Sequence, residues 1–127
     1  MSRELLVRVA HHPEAGCAVL TVTGDIDRTS SALLRDAVGD LLAGRHTRLV
    51  LDVEGVTFCD SNGLRTFLGG MTRAVEAGGW MRLAGVGGHF ERLLRMTGLY
   101  DFFTIDADVA CSLRNARGPQ GPPSGKA

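Results

Sequence analysis

Residues 49–71 read LVLDVEGVTFCDSNGLRTFLGGM, and the hydrophobic period changes partway through them. Leu49-Val50-Leu51-Asp52-Val53 is a short, mostly apolar run, as expected for a strand inside a sheet. From Leu64 the apolar residues fall at Leu64, Phe67, Leu68, Met71 and Val75, which is one face of an α-helix, and Gly78-Gly79 ends it. The segment EGVTFCD reads as the loop between them. A strand feeding a helix through a polar loop is the first half of a parallel crossover unit.

The same grammar extends in both directions. Upstream, Leu5–Val9 and the β-branched run Ala18–Thr23 are predicted strands, joined by the turn HHPEAG as a hairpin. Gly24-Asp25-Ile26-Asp27 ends the second. Thr29 and Ser30 are candidate N-caps for a helix with apolar positions at Leu33, Leu34, Ala37, Val38, Leu41 and Leu42, stopping at Gly44. Downstream come a strand at Trp80–Ala84 and a helix over His89–Thr97 with Phe90, Leu93 and Leu94 on one face. A short strand at Phe102–Ile105 and a last helix carrying Val109, Ala110 and Leu113 follow. The order β-β-α-β-α-β-α-β-α predicts an α/β fold with a mixed β-sheet flanked by α-helices and an N-terminal β-hairpin. Residues 1–116 form a single domain, and the Gly/Pro-rich stretch 117–127 reads as a disordered tail.

Composition narrows the function classes. The chain has 127 residues, enough for one domain with a real core. Formal net charge is zero and Lys126 is the only lysine, which argues against a nucleic-acid partner. The N-terminal residues show no signal-peptide pattern and no apolar run is long enough to span a bilayer, so a cytoplasmic protein without a membrane partner is expected. Cys17, Cys59 and Cys111 are odd in number and widely spaced, as reduced packed thiols would be. The four histidines show no metal-binding spacing, and no metal or other cofactor is expected.

Ser61 draws attention because it stands at the mouth of the second predicted helix, where sheets of this kind gather their functional groups. Asp60 and Ser61 are both good N-caps, a role that contributes about 1 kcal/mol over alanine. Only one residue is needed for it, so Asp60 can cap and leave the Ser61 hydroxyl free. Gly63 costs about 0.8–1 kcal/mol of helix propensity, and its missing side chain would let another backbone come close. A hydrolytic nucleophile would need the G-x-S-x-G elbow, but Cys59 stands where the first glycine should be. A phosphoacceptor suits the position better, since a helix N-terminus tolerates a phosphate that would add about −1.5 to −2 charges beside Asp60, Asp25 and Asp27.

At these residues the chain resembles the bacterial anti-sigma factor antagonists, which are single STAS domains. Asp60-Ser61-Asn62-Gly63-Leu64 matches the family pattern Asp-Ser-(Ser/Thr/Asn/Ala)-Gly-Leu after a strand rich in Val, Leu and Asp. Gly24-Asp25-Ile26-Asp27 matches Gly-Glu-(Leu/Ile)-Asp with Asp for Glu, and Leu93–Leu99 resembles the late Leu-Phe-(x)₃-Gly-Leu segment. The likeness spans Leu5 to about Asn115.

The resemblance implies a non-enzymatic switch in transcription regulation. Ser61 would be phosphorylated by an ATP-using anti-sigma factor serine kinase and dephosphorylated by a PP2C-type phosphatase. The unphosphorylated chain, a monomer or weak homodimer, would bind the anti-sigma factor and free a sigma factor. Asp60 would position the hydroxyl, Asp25 and Asp27 would line the recognition surface, and Asn62, Gly63 and Leu64 would shape the helix mouth. Asn62 cannot accept phosphate, which leaves Ser61 alone in the motif. Two other readings compete: a STAS scaffold in a larger signalling assembly, and a small nucleotide-binding domain built on Gly85-Val86-Gly87-Gly88.

Overall fold

The computed structural model describes residues 3–117. Its elements are β1 (Leu6–His12), β2 (Cys17–Ile26), α1 (Ser31–Ala43), β3 (Arg48–Cys59), α2 (Ser61–Glu76), β4 (Trp80–Ala84), α3 (Gly88–Met96), β5 (Thr104–Asp106) and α4 (Val109–Arg117). A single sheet runs in the order β1-β2-β3-β4-β5. Strands β1 and β2 pair antiparallel; every later pair is parallel. The element order read from the sequence is therefore observed, with a 3₁₀ turn at Tyr100–Phe102 added.

Because each crossover moves one strand in the same direction, right-handedness puts α1, α2 and α3 on one face. The strands alternate accordingly. Leu49, Leu51, Met81 and Leu83 face those helices and pack with Leu34, Val38, Phe67, Phe90 and Leu94. Val50, Trp80 and Ala84 face the other way, onto Ala116 and Leu113 of α4. No helix among the described residues is long and apolar enough to cross a membrane.

Under α4 lies a feature that strand periodicity does not announce. Arg82 of β4 donates from Nε and Nη2 to Asp106 of β5, at 2.7 and 3.1 Å, with both side chains buried. Ser112 and Asn115 of α4 donate to the same carboxylate. Burial pushes the Asp106 pKa up, but the bonds from Arg82 and Ser112 outweigh it and hold the group below its ordinary value.

Several boundaries differ from the sequence reading. Strand β2 continues through Gly24 and Asp25 to Ile26, and β3 runs on through the expected loop to Cys59. The two extensions pair in parallel, with irregularities between Thr21 and Thr23 and between Gly24 and Asp25. Gly55 permits this approach, since a Cβ there would sit 2.6 Å from Thr23 Cγ2. The fifth strand starts at Thr104, after the 3₁₀ turn, and not at Phe102. Leu33 and Val75 lie outside the buried stripes and are about half exposed. In α2 the stripe runs instead through Gly63, Leu64, Phe67, Gly70 and Ala74. Arg117 closes α4 and pairs with Glu14 at 3.3 Å; the rest of the expected tail, 118–127, lies outside the described residues.

Candidate functional site

The extended ends of β2 and β3 carry the two motif segments side by side. Asp25 is in register with Phe58 and Ile26 with Cys59, and the Asp60 N–H donates to the Ile26 carbonyl at 3.1 Å. Asp60 then turns the chain into α2. Its backbone is extended, and its Oδ1 accepts from the N–H groups of Asn62 and Gly63 at 2.8 and 3.0 Å. Asp60 is thus the N-cap, and Ser61 is the first residue of the helix.

Ser61 is exposed. Among the described residues no hydrogen bond engages its hydroxyl, while its neighbours on both sides are committed. Cys59 is 1% exposed, and burial, reinforced by the Asp60 charge, pushes its thiol pKa up to about 12. Gly63 is buried too. A Cβ on it would lie 2.6 Å from Ile26 Cγ2 and 2.7 Å from Cys59 Sγ, so the space left by its missing side chain faces the core and not an incoming partner. Leu64, 6% exposed, belongs to the same core. Asn62 is partly exposed beside the groove between α1 and α2.

The two upstream carboxylates are held by their own surroundings. Asp25 accepts from the Thr57 hydroxyl at 2.6 Å and from the Arg3 N–H at 2.9 Å, and these bonds, Thr57 first, hold its pKa below the usual carboxylate range. Asp27 closes the turn into α1. Its Oδ1 accepts from the N–H groups of Thr29 and Ser30 at 3.0 Å and from the Ser30 hydroxyl at 3.1 Å. Its pKa is lowered chiefly by the Ser30 N–H and then by the Ser30 hydroxyl. The expected cap role of Thr29 or Ser30 therefore passes to Asp27; Ser30, at the N-cap position, makes no side-chain cap bond.

Two residues near Ser61 lie outside the family motif: Phe58, and His89, the one histidine that the sequence places near a strand end as a candidate hydrolytic base. Phe58 is 40% exposed and stacks on His89 at the start of α3, with ring centroids 5.1 Å apart. His89 also donates from Nε2 to the Cys59 carbonyl at 3.3 Å. The contacts tie α3 to the strand that delivers Ser61. They also leave the hydrolase reading without its base, since this imidazole is bonded to main chain and not to Ser61. In the sequence, this aromatic patch is signalled only by a Phe immediately before Cys-Asp-Ser. Gly85 and Gly88 have φ of 79° and 53°, so turn geometry accounts for two of the three glycines of the Gly85-Val86-Gly87-Gly88 loop, whereas Gly87 is extended.

Comparison with known proteins agrees with this arrangement. The family described as "Mlab, STAS domain" matches residues 9–105. The anti-sigma-F factor antagonist RsfB of Mycobacterium tuberculosis is 30% identical over 114 residues, covering 90% of this chain and 91% of the relative. The anti-sigma F factor antagonist of Paenibacillus polymyxa is 28% identical over 102 residues, covering 80% and 86%. Among solved structures, an anti-sigma factor antagonist from Mycobacterium paratuberculosis superposes with a TM-score of 0.80 at 25% identity, covering 91% of this chain and 96% of that one. Relatives so named are regulators and not enzymes, as expected for this chain. A five-stranded mixed sheet with four helices, the paired motif segments and these relatives lead to one assignment: the chain belongs to the STAS domain family.

Proposed function

We propose that this chain is an anti-sigma factor antagonist switched by phosphorylation at Ser61. The observation that carries the proposal is the exposed, unbonded Ser61 hydroxyl in the first turn of α2, with capping supplied by Asp60. A helix cap needs no second polar residue there, whereas a kinase needs a hydroxyl it can reach. The anti-sigma factor is the serine kinase; it brings the ATP, the Mg²⁺ and the general base. A PP2C-type phosphatase reverses the step.

The phosphate adds about −1.5 to −2 charges at a helix end that favours anions. Because the Ser61 side chain makes no hydrogen bond among the described residues, the modification breaks none of theirs. The surface around Asp60 and Asp25 turns strongly acidic while the fold stays as it is, and the anti-sigma factor lets go. Phe58 and Asn62 complete the face it reads.

The test is a pull-down from native lysate with and without phosphatase treatment, followed by kinase assays on the recovered partner. The wild-type chain should gain about 80 Da per phosphate and Ser61→Ala none, while still binding. A mass gain on Ser61→Ala overturns the site.

A further inference from the structure

Helix α2 contains three glycines within its sixteen residues, each unfavourable in a helix interior. Two have a structural reason. Gly63 fits under Ile26 and Cys59, and a Cβ on Gly70 would lie 2.8 Å from Met81 Cε. Gly69 has none: a Cβ there meets nothing within 4 Å. It is exposed and lines a groove of about 360 Å³ between α1 and α2.

Three guanidiniums line the same groove: Arg35 from α1, and Arg65 and Arg73 from α2. All three residues are exposed, and among the described residues no carboxylate lines the groove. Among the described residues none of the three takes part in a salt bridge; the arginines that do are Arg82, Arg95 and Arg117. The side chain of Arg73 reaches across to α1, where Gly39 makes room for it: a Cβ at Gly39 would lie 2.8 Å from Arg73 Nη2. Asn62 links the groove to the turn that holds Ser61.

We propose that this groove docks an acidic segment of the protein that reads Ser61, so the inference rests on the preceding reading for the identity of that protein. Guanidiniums without a salt bridge among the described residues, beside a floor opened by Gly69 and Gly70, suit carboxylates arriving on a polypeptide. Arg65 and Arg73 are eight residues apart on one helix, about 12 Å at 1.5 Å per residue. Two carboxylates about two helical turns apart on the partner would meet both. A nucleic acid or an anionic lipid surface fits less well, because Asp25, Asp27 and Asp60 border the same end of the molecule and would repel a continuous polyanion. A protein can present acidic groups to the groove and other groups to the carboxylates.

The test uses the full, unmodified chain labelled with ¹⁵N and a helical peptide bearing Glu at positions i, i+4 and i+8, with its Gln counterpart as control. The Glu peptide should shift the amides of Ser31, Asn62, Thr66 and Gly69, and its affinity should fall about tenfold or more as screening salt is raised from low to high. The Gln peptide should shift none of them. An Arg65→Gln/Arg73→Gln chain should lose the response. Gly69→Gln should lose it as well while keeping the spectrum of a folded protein, since Gln is the better helix former. No shift with the Glu peptide overturns the proposal, and so does a response that survives in both variants. Equal shifts with inorganic phosphate or single-stranded DNA at matched charge mean a simple anion site and also overturn it. No kinase enters this experiment. A failed groove therefore leaves the Ser61 assignment standing, and a Ser61→Ala chain that is still phosphorylated leaves the groove standing.

Discussion

The Asp25 carboxylate accepts a hydrogen bond from the Thr57 hydroxyl at 2.6 Å, joining the ends of β2 and β3 where the two motif segments meet. With the Arg3 N–H as second donor, the bond lowers the Asp25 pKa below its ordinary 3.8. A depressed folded-state pKa stabilises the fold above the unfolded-state value, and that stability is lost as pH falls through the folded-state value. Thr57→Val should therefore move the Asp25 titration, followed by carboxyl ¹³C NMR, up toward 3.8. The same variant should show a smaller loss of melting temperature on acidification. An unmoved titration would mean that the Thr57 bond is not what lowers it.

Charge at position 61 is expected to govern affinity and to leave stability alone. Ser61→Asp should weaken binding to the recovered anti-sigma factor by about 1–3 kcal/mol, the scale of a few repelled charge contacts. Its melting temperature should be no lower than the wild type's, because the Ser61 side chain makes no hydrogen bond among the described residues and a helix N-terminus favours an anion. Calorimetry showing unchanged affinity would sink the electrostatic account of release.

Two glycines on one helix should respond to alanine with opposite sign. At Gly63 the added Cβ collides with the buried Ile26 and Cys59, so Gly63→Ala should destabilise by about 1–3 kcal/mol despite better helix propensity. At Gly69 the added Cβ meets nothing, so Gly69→Ala should stabilise by up to about 1 kcal/mol. Urea melts of the two variants decide both.

Beneath α4, Arg82→Met should destabilise by about 3–5 kcal/mol, because it leaves the buried Asp106 without its cation. Asp106→Asn should cost a comparable amount, because it leaves the buried Arg82 guanidinium without its anion and sets an amide NH₂ against donors that one carboxylate oxygen now accepts from. A loss below about 1 kcal/mol for either variant in denaturant melts would contradict the ion-pair account.

The order of elements was legible because hydrophobic period, turn glycines and β-branched runs all agree from Leu5 to Leu113. The ends of β2 and β3 were not. GDI and EGVTFC look polar and glycine-rich, as loops do, yet they continue as paired strands beyond the part of the sheet shared with β4. Only the partner strand supplies the reason, as the fit of Gly55 against Thr23 shows. The same limit hid Arg82 and Asp106, each of which reads alone as an ordinary polar residue in a strand. Within the site, Asp60 and Ser61 could be told apart from capping rules, whereas the direction faced by Gly63 could not. Gly63, read in the sequence as clearing a path for a partner, clears one for Ile26 and Cys59.

Cys59 carries a consequence for the proposed switch at Ser61. It lies two residues from Ser61, yet burial and a thiol pKa of about 12 leave almost no thiolate at neutral pH. Peroxide and disulfide exchange act on thiolates, so oxidants have no handle at this turn. On the proposed reading, the turn is therefore changed by phosphoryl transfer to Ser61 and not by oxidation of its buried neighbour.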